Sequence, residues 1–429
     1  MNLKTRARSV GARYLSSAVF QDKQQSKARK RRAKLRQPPL VHYFHQVSDP
    51  YSHLTVQKLD QLISHYSLPF QPHLVSKPDA TYQGSAAHFE QWALNDAKHI
   101  ARDYGTIFTP SIKVPKPDAV ARANQVLASH LNQDNFASAA FEIGEALWSH
   151  QPIEATTTLL AGAQAVEEGN ALRKALGHYQ GAMFYFDGEW YWGIDRIRRL
   201  EERLRLEGYV KENATLCVPE PTAADTQGLN AGHISLEYFP SLRSPYTAVG
   251  HQRVVDLIAR SGVSLEVRPV MPMLMRGIPA PREKQRYIIT DAAREGRACG
   301  APLGRIVDPF GEPVKRAFAL FPGADKLGKG MDFVTAYLSA AWQEGIDITT
   351  RHGLQQVANK AGIDWNTLQL AAQDTDWEAI LEDNLRTMLE SNLWGVPSFR
   401  ISGGRNDRAY ACWGQDRIWR LENEIARRI

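Results

Sequence analysis

The sequence predicts an α/β protein made of two tandem copies of one unit, each a small sheet with a block of helices inserted into it. Three observations point there. A β-rich segment running into a Pro-led amphipathic helix occurs twice. Equal intervals separate matching residues in the two copies. Both copies also end on two short strands and a Gly-x-Asp-Arg-Ile turn that opens a last helix. The 429 residues allow two or three domains at roughly 150 residues each.

The opening element of the first copy is Val41-His42-Tyr43-Phe44, which leads into Ser48-Asp49-Pro50-Tyr51-Ser52. Its counterpart is Ser235-Leu236-Glu237-Tyr238-Phe239, which leads into Arg243-Ser244-Pro245-Tyr246-Thr247. Alternating aromatic and β-branched residues favour strands, and a proline fits the first turn of a helix because its missing N–H has no partner to lose there. Leu54, Leu59, Leu62 and Ile63 mark the apolar face of the first helix; Val254, Val255, Leu257 and Ile258 mark the second. Further strands are expected over Phe70–Val75 and Leu265–Val270. The interval from Pro50 to Asp96 is 46 residues, and from Pro245 to Asp291 it is again 46. From Pro50 to Trp192 is 142 residues and from Pro245 to Trp413 is 168, so the second copy is longer by 26, a surplus expected between Thr349 and Glu378. The organisation read from this is a basic extension over 1–39, a first domain over 40–209, a linker rich in Pro, Gly, Thr, Ala and Asn over 210–233, and a second domain over 234–429.

Charge is uneven. Residues 1–37 hold twelve Lys and Arg against Asp22 alone, a surplus of 11 in a chain of +6, so the remainder carries −5. Such a tail resembles a transit peptide, or a segment that contacts nucleic acid or anionic lipid. A solvated, partly helical extension is the simpler expectation, since charge blocks alone identify no partner. No run of about 18 apolar residues suggests a membrane span, and the apolar stretch of a secretory signal is lacking. Cys217, Cys299 and Cys412 lie far apart with no C-x-x-C, which argues against a disulfide framework, structural zinc and dithiol redox chemistry, and fits a cytoplasmic location. The first copy is rich in histidine (His42, His45, His53, His65, His73, His88 and His99 among them), but no pair shows H-E-x-x-H spacing, so no metal site is expected. Lys326-Leu327-Gly328-Lys329-Gly330 lacks the phosphate-loop pattern, and Trp342, Trp365, Trp377 and Trp394 read as helix packing.

Three segments of the second copy carry a family resemblance: Ser244-Pro245-Tyr246-Thr247, Gly395-Val396-Pro397, and Gly414-Gln415-Asp416-Arg417. In that order they resemble the DsbA-like branch of the thioredoxin superfamily, and within it the 2-hydroxychromene-2-carboxylate isomerases and kappa-class glutathione transferases. The resemblance covers 234–429 well and 40–209 more thinly. It implies two thioredoxin-like domains with inserted helical subdomains. It also implies a glutathione-dependent isomerase or transferase acting on a conjugated, aromatic-derived small molecule, with glutathione as cofactor or cosubstrate.

The residue chemistry is compatible with this. Ser244 precedes a helix whose first N–H groups and dipole favour an anion, and its hydroxyl can hydrogen-bond a thiolate; it also fits a plain N-cap. The resemblance implies that Pro397 is cis and leaves the Val396 backbone to pair with the cysteinyl part of glutathione. It assigns Gln415 and Asp416 to the γ-glutamyl end, and Lys284 to the glycyl carboxylate. Arg243 suits either a substrate carboxylate or solvent. Related isomerases carry an asparagine where this chain has Arg276-Gly277-Ile278-Pro279-Ala280-Pro281. In the first copy Asp49 stands at the Ser244 position, Phe89 at Lys284, Ala182-Met183 at Val396-Pro397 and Ile194 at Gln415, while Asp195 is kept. A carboxylate in place of Ser244 repels a thiolate, so this copy is expected to be structural, an intramolecular pseudo-partner in a chain whose resemblance implies a family that tends to dimerise. The rival readings are a non-catalytic thioredoxin-fold scaffold and a protein acting through its basic tail.

Overall fold

The computed structural model describes residues 3–83, 86–109, 114–154, 159–406 and 408–429. It contains eight strands among them: β1 (Val41–His45), β2 (Phe70–Leu74), β3 (Met183–Phe186), β4 (Glu189–Trp192), β5 (Ile234–Phe239), β6 (Ser264–Val267), β7 (Ser398–Gly403) and β8 (Tyr410–Trp413). They form two four-stranded sheets, ordered β2-β1-β3-β4 and β6-β5-β7-β8. In both, the first two strands in sequence are parallel and the last two add antiparallel. Parallel neighbours require a crossover. Helices Pro50–Val56 and Leu59–His65 supply it in the first sheet, and the single helix Pro245–Ser261 in the second.

The first crossover thus breaks where one continuous helix was expected. Gln57 and Lys58 turn outward at the break. The Gln57 amide group bonds the backbone of Ile107 in both directions, and the Lys58 ammonium donates to the Gly105 carbonyl at 3.1 Å. Ile63, counted on the apolar face, is exposed as a result. The second crossover runs unbroken until Gly262, whose positive φ of 66° lets its N–H turn back onto the Ile258 carbonyl.

The chain divides into two compact units. One comprises residues 21–222 and 280–287 and holds the first sheet; the other comprises 1–20, 223–279 and 288–429 and holds the second. In the second sheet Leu236, Tyr238, Phe399 and Ile401 point to one face and pack with Val254 and Leu257 of the crossover helix and Leu421 and Ile425 of the final helix. Phe239 faces the other side, with Val270, Met388 and Leu393. The inserted helices form their own core around Phe318, Phe333, Tyr337 and Trp342. Helices Arg351–Lys360 and Trp365–Ala372 occupy the stretch where the longer copy was expected to carry its surplus. The two sheets repeat one central contact: Tyr43 stacks on Phe184 at 4.8 Å and Tyr238 on Phe399 at 5.3 Å.

The basic extension departs from the expected solvated tail. Helix Leu3–Ser16 belongs to the unit of the second sheet: Ala12 and Leu15 pack on the helical core, Arg13 donates to the Ile306 carbonyl at 2.9 Å, and Ser9 accepts from the Asp308 amide at 3.0 Å. Sequence pattern could not show this, because the arginines here find carbonyls and a carboxylate nearly 300 residues away. The linker is likewise tied down. In the first unit Cys217 and Val218 donate backbone N–H groups to the buried Glu201 carboxylate at 2.7 and 3.0 Å. In the second, Gly228 and Ala231 donate to the carbonyls of Arg260 and Ser261.

Candidate active site

The second sheet gathers three segments at one end. Phe239, the last residue of β5, pairs with Ser398, the first of β7, and Ser398 pairs with Trp413, the last of β8. The loop to Ser244, the Val396–Pro397 bond and the Gly414 turn therefore leave the sheet together. The loop after β6 leaves from this end too, because β6 runs parallel to β5.

Ser244 has the extended backbone of an N-cap, with φ −94° and ψ 121°, and is buried. Its Oγ accepts from the Thr247 amide at 3.1 Å. Among the described residues nothing accepts the hydrogen of this hydroxyl, so it remains available to a ligand. Thr247 is fixed in turn by the Ser241 amide, which donates to Oγ1 at 3.3 Å. Behind the helix start, the Tyr246 hydroxyl donates to buried Asp291 at 2.8 Å. Sequence reading noted Asp291 only as a repeat marker, yet the matching Tyr51 and Asp96 gave the signal that both positions make a contact.

The Val396–Pro397 peptide is cis. The Pro397 carbonyl accepts from Gly414 N–H at 2.9 Å, which joins this bond to the turn before the last helix. Gly395 is needed where it stands, because a Cβ there would lie 2.3 Å from the Trp413 ring. The Val396 side chain packs beside Leu393 and Trp413. Among the described residues its N–H and C=O make no hydrogen bond.

Gln415 and Asp416 open the turn Gln415–Arg417 ahead of helix Ile418–Arg428. Gln415 is buried: its backbone and side-chain carbonyls accept from Arg253, and its amide donates to Asp416. Gly250 permits the crossover helix to approach, since a Cβ there would come within 2.8 Å of Gln415 Cβ. Arg253, on the crossover helix, was not singled out from sequence, where nothing distinguishes it from any other helical arginine.

Arg243 is half-buried and engaged within its own unit. It forms a two-point ion pair with Asp308, at 2.6 and 3.1 Å, and lies over the Phe310 ring. Asp308 also pairs with Arg8 at 3.1 Å. Lys284 and Ser244 belong to different units. The Lys284 ammonium donates to the Tyr82 carbonyl, and burial lowers its pKa to about 8. Arg276, in the loop after β6, has its Nε buried and unpartnered among the described residues, and burial without a counter-charge lowers the guanidinium to about 10.

The first sheet holds the corresponding positions differently. Asp49 caps helix Pro50–Val56 by accepting from Tyr51 and Ser52 amides and from the Ser52 hydroxyl. Burial pushes its carboxyl up to about 6 despite these bonds. Strand register corrects the sequence alignment by one residue. Met183 pairs with Phe44 as Ser398 pairs with Phe239, so Ala182 stands at Pro397 and Gly181 at Val396. The Ala182 carbonyl accepts from Gly193 at 2.7 Å, as Pro397 does from Gly414. The space is closed here: a Cβ on Gly181 would meet Gln46 Cβ at 2.6 Å and the Asp49 carboxylate at 3.4 Å.

All three cysteines are free, and none lies at the start of either crossover helix. Among the described residues no group of three or more His, Cys, Asp or Glu is placed to hold a metal, and no helix is long and apolar enough to cross a membrane.

Residues 235–426 match the family described as DSBA-like thioredoxin domain. No curated protein matches the chain. Similar solved structures include a 2-hydroxychromene-2-carboxylate isomerase, 20% identical over 45% of this chain and 95% of its own, with a TM-score of 0.36. Another is the cytosolic disulfide reductase DsbM from Pseudomonas aeruginosa with GSH, 17% identical over 46% of this chain and 100% of its own, TM-score 0.34. A third is the oxidoreductase DsbA from Xylella fastidiosa, 16% identical over 46% and 87%, TM-score 0.30.

Proposed function

We propose that the DsbA-like thioredoxin domain at residues 235–426 is a glutathione-dependent isomerase or transferase of the 2-hydroxychromene-2-carboxylate isomerase type. The observation that carries this reading is Ser244: a buried hydroxyl at a helix start, held by the Thr247 amide and with its own hydrogen unspent. A cysteine there exchanges disulfides. A serine instead donates to a bound thiolate, and the helix dipole adds to the stabilisation. The Val396 amide and carbonyl offer antiparallel pairing to the cysteinyl residue. Asp416 and the helix start beside it suit the γ-glutamyl ammonium and carboxylate. Arg276, with its unpartnered Nε, suits the glycyl carboxylate better than Lys284, whose ammonium is already engaged. Turnover then runs by addition of the thiolate to a conjugated acceptor, whose π electrons shift to its carbonyl oxygen. Rotation about the resulting single bond and expulsion of the thiolate complete the isomerisation.

A glutathione-dependent spectral change of 2-hydroxychromene-2-carboxylate, reduced at least tenfold in Ser244→Ala, is the expected result. Thiol-independent turnover, or turnover indifferent to this substitution, overturns the reading. The engagement of Lys284 favours a second reading, a domain that binds a thiol peptide without turning it over. Saturable glutathione binding with no turnover of any conjugated acceptor distinguishes it.

A further inference from the structure

Helix Ala18–Lys34 has two unlike faces. At 100° per residue, Gln21, Gln25 and Arg32 share one side. That side is committed to the body of the unit. Gln21 and Gln25 donate to the two carboxylate oxygens of Glu189 at 2.6 and 2.9 Å, and Arg32 grips Asp187 with contacts of 2.8–3.2 Å. The backbone itself is seated: a Cβ on Gly188 would lie 2.7 Å from the Gln24 carbonyl.

The opposite side carries Lys27, Lys30, Arg31 and Lys34, spaced i, i+3, i+4, i+7 and all exposed. Among the described residues their side chains make no hydrogen bond or ion pair. Cations at a helix C-terminus complement its dipole, but that accounts only for the last turn and not for Lys27 and Lys30. Like charges three and four residues apart repel each other, so the row is held together by the anchored face against its own electrostatics. The chain beyond the tail carries −5, so the positive field is local.

We propose that this face binds the phosphate backbone of duplex nucleic acid without sequence preference. Four cations along two helical turns match a polyanion, and the absence of aromatic residues between Gln21 and Gln37 removes base stacking as a source of preference. A membrane surface is the weaker fit. A lipid-bound helix needs an apolar face, and here the exposed large apolar residues, Val19 and Leu35, flank the cationic row while the other side is occupied. The inference is independent of the Ser244 site.

The test is fluorescence anisotropy of a short labelled mixed-sequence DNA duplex with the full chain over a salt series. With about four phosphates neutralised, the log–log slope is expected near −3.6, about a 100-fold loss of affinity from roughly 50 to 200 mM salt. The combined Lys27→Gln, Lys30→Gln, Arg31→Gln and Lys34→Gln variant should lose the binding and the slope. Its circular dichroism should match that of wild type. A Lys27→Arg, Lys30→Arg, Lys34→Arg variant should keep both. Binding unchanged in the glutamine variant, no binding at the lowest salt, or binding to phosphatidylserine vesicles in place of DNA overturns the proposal.

Discussion

Replacing Ser244 with alanine separates two roles that one hydroxyl plays. As an acceptor, Oγ holds the Thr247 amide at 3.1 Å; losing an N-cap of this kind costs about 1 kcal/mol of stability. As a donor, it is placed to hold a thiolate. A hydrogen bond to a charged group contributes about 1.5–3 kcal/mol, and about 1.4 kcal/mol corresponds to one pKa unit. The bound glutathione thiol should therefore titrate about one to two units higher in Ser244→Ala than in wild type. Ser244→Asp isolates the second role. Aspartate caps this kind of helix start, as Asp49 does in the first sheet, yet it repels a thiolate. The assay is thiolate absorbance against pH at saturating glutathione, run beside urea denaturation. Ser244→Ala should lose both stability and thiolate, whereas Ser244→Asp should keep stability and lose thiolate. An unchanged thiol titration in both variants would refute the reasoning.

Asp49, raised by burial to about 6 from an ordinary 3.8, binds a proton more tightly folded than unfolded. Stability of its unit should therefore fall by roughly 2 kcal/mol as pH rises from 4 to 6, and Asp49→Asn should flatten that slope in a denaturation series. His251 shows the opposite sign. Burial lowers it to about 4 from 6.5, so the unfolded chain takes the proton first and stability is lost as pH falls below 6.5, by about 2 kcal/mol at pH 5; His251→Asn should remove that acid limb. Asp308 joins Arg243 and Arg8. Asp308→Asn should cost about 2 kcal/mol, between the values for exposed and buried pairs, and deleting residues 1–20 should destabilise the same unit in urea. A solvated tail predicts no change on that deletion.

Much of the strand layout could be read because matching residue pairs recur at equal intervals. Tyr51 to Asp96 and Tyr246 to Asp291 are both 45 residues apart, and both pairs are hydrogen bonds in the structure. The cis bond at Val396–Pro397 is one that the family resemblance of Gly395-Val396-Pro397 implied. What sequence pattern could not supply were partners that topology brings from afar. Arg243 finds Asp308 across 65 residues, and Lys284 meets Tyr82 across 202. The one-residue offset that puts Ala182 at Pro397 follows from strand register, which alignment by glycines could not resolve. The tail read as solvated because charge patterning reports on a segment and not on the carboxylates and carbonyls it meets.

Calorimetric titration of the full chain with glutathione tests the central claim most directly. Saturable binding at one site, weakened at least tenfold by Asp416→Ala, is the predicted result. No heat of binding at millimolar glutathione, under conditions where the chain is folded, would contradict it.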